Sequence, residues 1–329
     1  MTLKELDLHL TNSCSLHCVH CVFSSGDRPL PELGTARIAS LIDEFAGLSN
    51  SEGTVNLFGG EVLLRKDIFD IVQAIRKRGL SVGITTNCNV PQTILDRVLQ
   101  QDIQRLTADL DGATPAVHDW LRNREGNFKA VLCVLRQSVA RSIFTTINSV
   151  LHTENVHEVE DILQICAEIG VQGLAFYYLT PTGRGVEIAH RCIDARQWMA
   201  ARARAAAWIR HHTLSFPVVW EEAYEFAGSD PTGPWRCEEG YTESVFIRCD
   251  GEVYSCALLE GAPCSMGNLH DDTLSIILTR RAERAFAHGS GCPALAFHVT
   301  SDIKQTDPRT APPGISLGCP YNCRVLHQV

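Results

Sequence analysis

A fold of the α/β class is predicted by three observations on the sequence. From the N-terminus to about residue 212, short β-rich runs alternate with amphipathic helical runs, the pattern of repeated βα units around a parallel sheet. At 329 residues, the chain has room for one large domain and a smaller one. Its 45 % apolar and 20 % charged content is ordinary globular usage, which excludes disordered, collagen-like and coiled-coil classes.

Taken in order, the predicted strands are Leu6–Leu10, Thr54–Leu57, Ser81–Thr85, Arg105–Leu110, Phe144–Val150 and Leu174–Leu179. Each reads as an apolar or β-branched run bounded by polar turn residues. Helices are predicted near Thr35–Leu48, Asp67–Arg78, Pro91–Gln101, Asn127–Arg141, Val156–Ile169 and Ala195–His212. Asp67–Arg78 is the clearest, with Asp67 suited to an N-cap, Ile68, Ile71, Val72 and Ile75 on one face, and Gly79 as the stop. After His212 the periodicity fades and Pro, Gly and Trp become frequent, so a boundary is expected near residue 215. Beyond it, Val245–Ile247 and Glu252–Tyr254 flank Asp250-Gly251, a hairpin signal.

The feature out of line is the 14 cysteines. No apolar signal-peptide core precedes the first group and no run of about 18 apolar residues could span a membrane. The expected compartment is a reducing cytoplasm, where clustered cysteines mean metal or redox chemistry. A net charge of −9 argues against nucleic acid as the main partner and favours a cationic one.

Directly after the first strand, Cys14, Cys18 and Cys21 form a CX3CX2C spacing. Three thiolates in so short a segment can converge on one metal centre, and on a four-iron cube they leave one iron open. Zinc is the alternative, although it favours two separated CX2C pairs. This spacing, with His20 before the last cysteine, resembles the signature of radical S-adenosylmethionine (radical SAM) enzymes. The resemblance extends to Gly59-Gly60-Glu61 after the second strand, Thr85-Thr86-Asn87 closing the third, and Asp109-Leu110-Asp111-Gly112 closing the fourth with His118 and Arg122 downstream. Asn148 on the fifth strand and Pro181-Thr182-Gly183-Arg184-Gly185 after the sixth fit as well. It implies a partial (β/α)6 TIM-like barrel whose site lies at the carboxyl ends of the strands. It also implies a [4Fe-4S] cluster on Cys14, Cys18 and Cys21, with S-adenosylmethionine (SAM) contacted by Gly59, Gly60, Glu61, Asp109 and Asn148. Asp109 stands where the family often has a Ser.

In the C-terminal part, Cys237, Gly251 and Cys256 resemble the opening of the family's SPASM or twitch extension, and Cys319 and Cys323 its closing CX3C. The resemblance implies residues 1–215 as the barrel and 216–329 as an auxiliary domain. That domain would hold one auxiliary [4Fe-4S] cluster on Cys237, Cys256, Cys319 and Cys323, with Cys264 or Cys292 as alternatives for one ligand. Cys88, Cys133, Cys166 and Cys192 read as packing residues.

Cys249, just before the Asp250-Gly251 turn, fits no cluster pattern. It reads either as a packed thiol or as a catalytic hydrogen donor facing SAM across the substrate, the arrangement an epimerase needs. Glu221, Glu222, Glu225, Asp230, Glu238, Glu239 and Glu243, with Trp220, Trp235 and Tyr241, form a solvated acidic face or a site for a polyamine or aminosugar. Only 13 residues precede Cys14, so no leader-peptide-binding domain is expected there. The compact layout resembles aminoglycoside epimerases within the family. That implies inversion of one carbon, such as C-5‴ in converting neomycin C to neomycin B, with an external donor such as flavodoxin or ferredoxin. The competing expectations are a peptide-modifying enzyme of the same family and an inactive iron–sulfur scaffold or sensor.

Overall fold

The computed structural model describes residues 3–220, 224–226, 244–254, 257, 265–283 and 315–317. Six strands follow the predicted order: β1 (Glu5–His9), β2 (Thr54–Phe58), β3 (Ser81–Thr86), β4 (Arg105–Asp109), β5 (Phe144–Leu151) and β6 (Gly173–Tyr178). They pair in parallel as neighbours in chain order. A seventh strand, β7 (Val218–Trp220), joins β6 in parallel. Strands β8 (Tyr224–Phe226) and β12 (Ile315–Leu317) form a separate antiparallel pair.

The other edge of the main sheet is built by the C-terminal part. Strand β9 (Ser244–Ile247) lies parallel to β1, pairing Glu5 with Ser244 and Leu8 with Ile247. Strands β10 (Glu252–Tyr254) and β11 (Gly267–Asn268) extend it antiparallel. The β9–β10 hairpin is the predicted one. Its turn needs a left-handed residue, supplied by Gly251 at φ +88°, and Arg248 clamps Asp250 through two hydrogen bonds of 2.8 and 2.7 Å. One sheet therefore runs on both sides of residue 215.

Helices α1 (Thr35–Leu48), α2 (Ile68–Arg76), α3 (Gln92–Val98), α5 (Asn127–Ala140), α6 (Val159–Ile169) and α7 (Ala195–His211) occupy the predicted places. An additional short helix, α4 (Pro115–Arg122), begins at a proline, and α8 (Leu274–Glu283) follows β11. Ile38, Leu41, Ile42 and Phe45 of α1 and Ile68, Ile71, Val72 and Ile75 of α2 are buried stripes at i, i+3, i+4, i+7. They cover the sheet face that carries Leu6, Leu8, Val55, Leu57, Val82 and Ile84. The opposite face is polar: Asn56 donates to Asp7 at 2.7 Å and accepts from Arg105, and the Thr107 and Thr146 hydroxyls are 2.8 Å apart. Apolar residues thus pack outward against helices while polar ones line the inner face, as in a β/α barrel.

Two local expectations are corrected. Asp67 holds the N-cap position of α2 without capping it, because its carboxylate is taken by Arg65 at 2.9 and 2.8 Å and by the Thr35 hydroxyl at 2.6 Å. Cys133 is exposed rather than packed, whereas Cys88 and Cys166 are buried and Cys192 is half-buried.

Candidate functional site

The chain leaving β1 forms a loop that carries Cys14, Cys18 and Cys21 across the carboxyl ends of the strands. Backbone hydrogen bonds fix it to three places. Gly60 and Glu61 after β2 donate to Thr11 and Ser13, each at 2.8 Å; Val19 donates to Leu121 of α4 at 3.0 Å; and Arg184 beyond β6 donates to Cys21 at 3.0 Å. Such approaches demand glycine. A Cβ on Gly60 would lie 2.2 Å from the Ser13 carbonyl oxygen, and one on Gly183, at φ +54°, 2.4 Å from that of Cys21.

The three thiols are close enough for charge on one to disturb the others. Burial pushes the Cys18 thiol up to about 11, with Cys21 and Cys14 adding to the rise and the Arg122 guanidinium opposing it. Burial likewise raises Cys14, whose sulfur accepts from the Leu16 backbone N–H and the Asn87 side-chain amide, both at 3.4 Å. Cys21 sulfur accepts from the Ser25 N–H at 3.4 Å. Three thiols that feel one another's charge, with N–H donors on the sulfurs of Cys14 and Cys21, are a donor set that suits an iron–sulfur cluster.

Beside this loop, Glu61 is fully buried. Its carboxylate accepts from Leu63 N–H at 3.1 Å, Asn87 N–H at 2.8 Å and the Thr86 hydroxyl at 3.0 Å. Two carboxylate oxygens offer about four acceptor positions, so one remains for an incoming cation. Burial nevertheless outweighs these donors and pushes Glu61 up to about 7. A buried carboxylate with an acceptor position to spare, flanked by glycines that let backbone approach, fits the methionyl ammonium of SAM.

Across the sheet, Asp109 pairs in register with Asn148, and the Asn148 side chain hydrogen-bonds its carboxylate. Asp109 lies 3.1 Å from Arg122, whose other nitrogen pairs with the fully buried Asp111. Asp111 N–H donates to His118 Nδ1 at 3.1 Å, which leaves the His118 proton on Nε2, 3.0 Å from Asn127 Oδ1. Asn127 in turn donates to the Asn87 carbonyl at 3.0 Å, and so reaches Cys14 through Asn87.

Cys249 is buried, and its carbonyl accepts from Leu33 N–H at 2.7 Å. Arg65 ties that strand of chain to the end of β1, donating to Leu33 O at 3.1 Å and Leu10 O at 2.8 Å. Phe246 of β9 stacks on Phe23, two residues past Cys21, with centroids 6.2 Å apart. The hairpin bearing Cys249 thus abuts the cysteine loop. Nothing in the spacing of Arg65 marks an arginine whose work is to hold carbonyls, whereas Asn87, Arg122 and Arg184 stand at motif positions whose contacts only the fold reveals. Cys237, Cys256, Cys264, Cys292, Cys319 and Cys323 lie outside the described residues, as do Glu221, Glu222, Asp230, Glu238, Glu239, Glu243, Trp235 and Tyr241. Glu225 falls on β8 and Trp220 ends β7.

A partial β/α barrel with a thiol trio and a glycine-flanked buried glutamate at the carboxyl ends of its strands is a layout that suits an iron–sulfur cluster with SAM beside it. Comparison with known proteins agrees. The radical SAM superfamily model matches residues 8–166, and that of an iron-sulfur cluster-binding domain, SPASM, matches residues 237–296. The chain is thus similar to radical SAM enzymes along its barrel and to SPASM regions in its C-terminal part. It is 32 % identical over 180 residues to the AdoMet-dependent heme synthase of Methanosarcina barkeri, covering 54 % of this chain and 51 % of that protein. It is 26 % identical to the PqqA peptide cyclase of Ruegeria pomeroyi, over 91 % of this chain and 84 % of that one. The chain therefore spans about half the length of the heme synthase and most of the cyclase. Streptococcus suis SuiB bound to S-adenosylmethionine has the same fold, with a TM-score of 0.70 at 14 % identity over 90 % of this chain and 72 % of that one. Among the described residues no helix is long and apolar enough to cross a membrane.

Proposed function

We propose that the protein is a radical SAM enzyme that opens its reaction by removing a hydrogen atom from a substrate C–H bond. The observation that carries this is the convergence of Cys14, Cys18 and Cys21 with Gly59, Gly60 and Glu61 over one end of the sheet. Cys14, Cys18 and Cys21 would hold an iron–sulfur cluster, and that group would supply the electron for reductive cleavage of SAM. The chain's own residues do the rest. Gly59 and Gly60 admit the methionyl group, the Glu61 carboxylate pairs with its ammonium, and Asp109 and Asn148 stand on the inner face where the nucleoside would lie. In the C-terminal part, Cys237, Cys256, Cys319 and Cys323 would be the ligands of one further cluster. An external one-electron donor completes the system.

Two readings of the second half of the reaction remain in play. The similarity to a PqqA peptide cyclase across nearly the whole chain favours modification of a peptide, by a thioether, a carbon–carbon link or inversion to a D-residue. That the hairpin bearing Cys249 lies beside the cysteine loop, through Phe246 on Phe23, is what supports the second reading, epimerisation of a cationic small molecule such as an aminoglycoside. There the Cys249 S–H bond breaks as the new C–H bond forms, and the thiyl left behind takes up one electron and one proton from the donor system. Incubating the reduced, anaerobic protein with SAM in deuterium oxide separates the two. Epimerisation gives 5′-deoxyadenosine and one deuterium at the inverted carbon of an aminosugar, and C249A still makes 5′-deoxyadenosine without inverted product. Turnover of a peptide, or normal inversion by C249A, overturns the epimerase reading; no 5′-deoxyadenosine with any substrate overturns both.

A further inference from the structure

Between the cysteine loop and the inner face of the sheet lies a buried cation, Arg122, whose side chain is 7 % exposed. Its guanidinium touches three groups. It is 3.1 Å from Asp109, ion-paired with Asp111, and its Nη1 is 4.0 Å from the sulfur of Cys18. We infer that Arg122 is a positioning residue that raises the reduction potential of the centre held by Cys14, Cys18 and Cys21. The inference rests on the cluster reading above and adds to it a lever internal to this chain.

The argument begins with charge. A guanidinium never loses its proton in a protein and presents a rigid fork, so Asp111 on Nη2 and Asp109 on Nη1 hold Nη1 at the sulfur. Reducing an iron–sulfur centre adds negative charge, and a nearby fixed cation stabilises that state. Hydrogen bonds to ligand sulfurs, net charge and burial are the protein's levers on such potentials. At this depth solvent screens little, so the interaction is stronger than at the surface. Asp109 and Asp111 act in the opposite sense, since each places negative charge near the same centre. Asp111 is wholly enclosed and locked to Val150 N–H at 2.8 Å, whereas Asp109 is 23 % exposed on the inner face. Asp109 is thus the member of the triad open to change. A purely structural arginine would need the carboxylates but not the sulfur, and its removal would produce no ordered electrical effect.

The test is a redox titration of the full-length, anaerobically reconstituted protein followed by electron paramagnetic resonance. The signal of this centre is identified as the one missing from a C14A/C18A/C21A variant. The potential is expected to fall in R122Q, to stay near the wild-type value in R122K, and to rise in D109N. Opposite displacements in R122Q and D109N support the assignment. An unchanged potential in R122Q with full iron and sulfide content, or displacements of the same sign, overturns it. Where R122Q does not keep iron, D109N decides: a potential that fails to rise overturns the proposal. A wild-type protein without a centre that depends on Cys14, Cys18 and Cys21 would instead overturn the cluster reading itself.

Discussion

At the level of single residues, Glu61 gives the sharpest pH dependence. Its ordinary pKa of 4.5 is pushed up to about 7 by burial. The folded apo protein therefore holds a proton there that the unfolded chain releases. This contribution to stability is fully present below pH 4.5 and is lost as pH rises through 7, amounting to about 3 kcal/mol between the limits. Thermal melts of the apo protein from pH 5 to 8 should show a decline that Glu61→Gln lacks. A bound SAM ammonium favours the carboxylate, so the stabilisation SAM gives should grow over the same rise in pH. Parallel melting curves for wild type and Glu61→Gln would sink this account. The thiols add a second prediction of the same sign. Burial holds Cys18 up to about 11 and raises Cys14, so loading the centre must displace protons. Iron and sulfide uptake should be faster at pH 8.5 than at pH 6.5, and uptake independent of pH would contradict it.

The loops after β1, β2 and β6 function as one element, because each supplies what another lacks. Gly183→Ala puts a methyl group 2.4 Å from the Cys21 carbonyl oxygen at a left-handed position, so the cysteine loop has to move. The expected cost is about 2 kcal/mol, with iron content falling several-fold; full iron loading in that variant would refute the close approach. Strand and helix positions were legible in the sequence because packing demands a period. The predicted strands agree with the observed ones to within a residue or so, and α1 agrees at both ends. Helix α4 was not predicted: its sequence mixes the motif residues His118 and Arg122, both buried, with Leu121 on one face, so it lacks the aliphatic stripe that marks the other helices. The chemistry of the site was legible as cysteine spacing and glycine pairs. The arginines that hold it, Arg65 on Leu10 O and Leu33 O and Arg184 on Cys18 O at 2.8 Å, bind carbonyls distant in sequence and leave no local pattern.

Over the whole molecule, the composition change near residue 215 suggests a division that the sheet does not respect. Strand β7 closes one flank against β6 and β9 the other against β1, so the parallel sheet is completed by residues on the far side of that point. Helix α1 then clasps the C-terminal segment. Arg37 donates to Leu269 O at 2.9 Å and Asp272 O at 3.3 Å, and the Glu44 carboxylate accepts from Leu274 N–H at 2.6 Å at the start of α8. A carboxylate at a helix N-terminus is worth about 1 kcal/mol. Glu44→Ala should accordingly raise amide hydrogen exchange around residues 269–277 about fivefold, the equivalent of about 1 kcal/mol, while leaving β3 and β4 protected.

Truncation tests the continuity of the sheet directly. A chain ending at residue 215 loses β7 and β9 together and exposes unpaired backbone on β1 and β6, beside Leu6 and Leu8 on one flank and Leu174 and Phe176 on the other. Open apolar edges recruit other chains. That fragment should melt well below the full protein and associate on size-exclusion chromatography. A chain ending at residue 283 keeps β9, β10, β11 and α8 in their places against β1 and α1, so it should resist association better than the shorter one. A monomeric 1–215 fragment with an unchanged melting temperature would mean that the two parts fold independently. In that case the hairpin carrying Cys249 would owe its place beside the cysteine loop to docking rather than to a shared sheet.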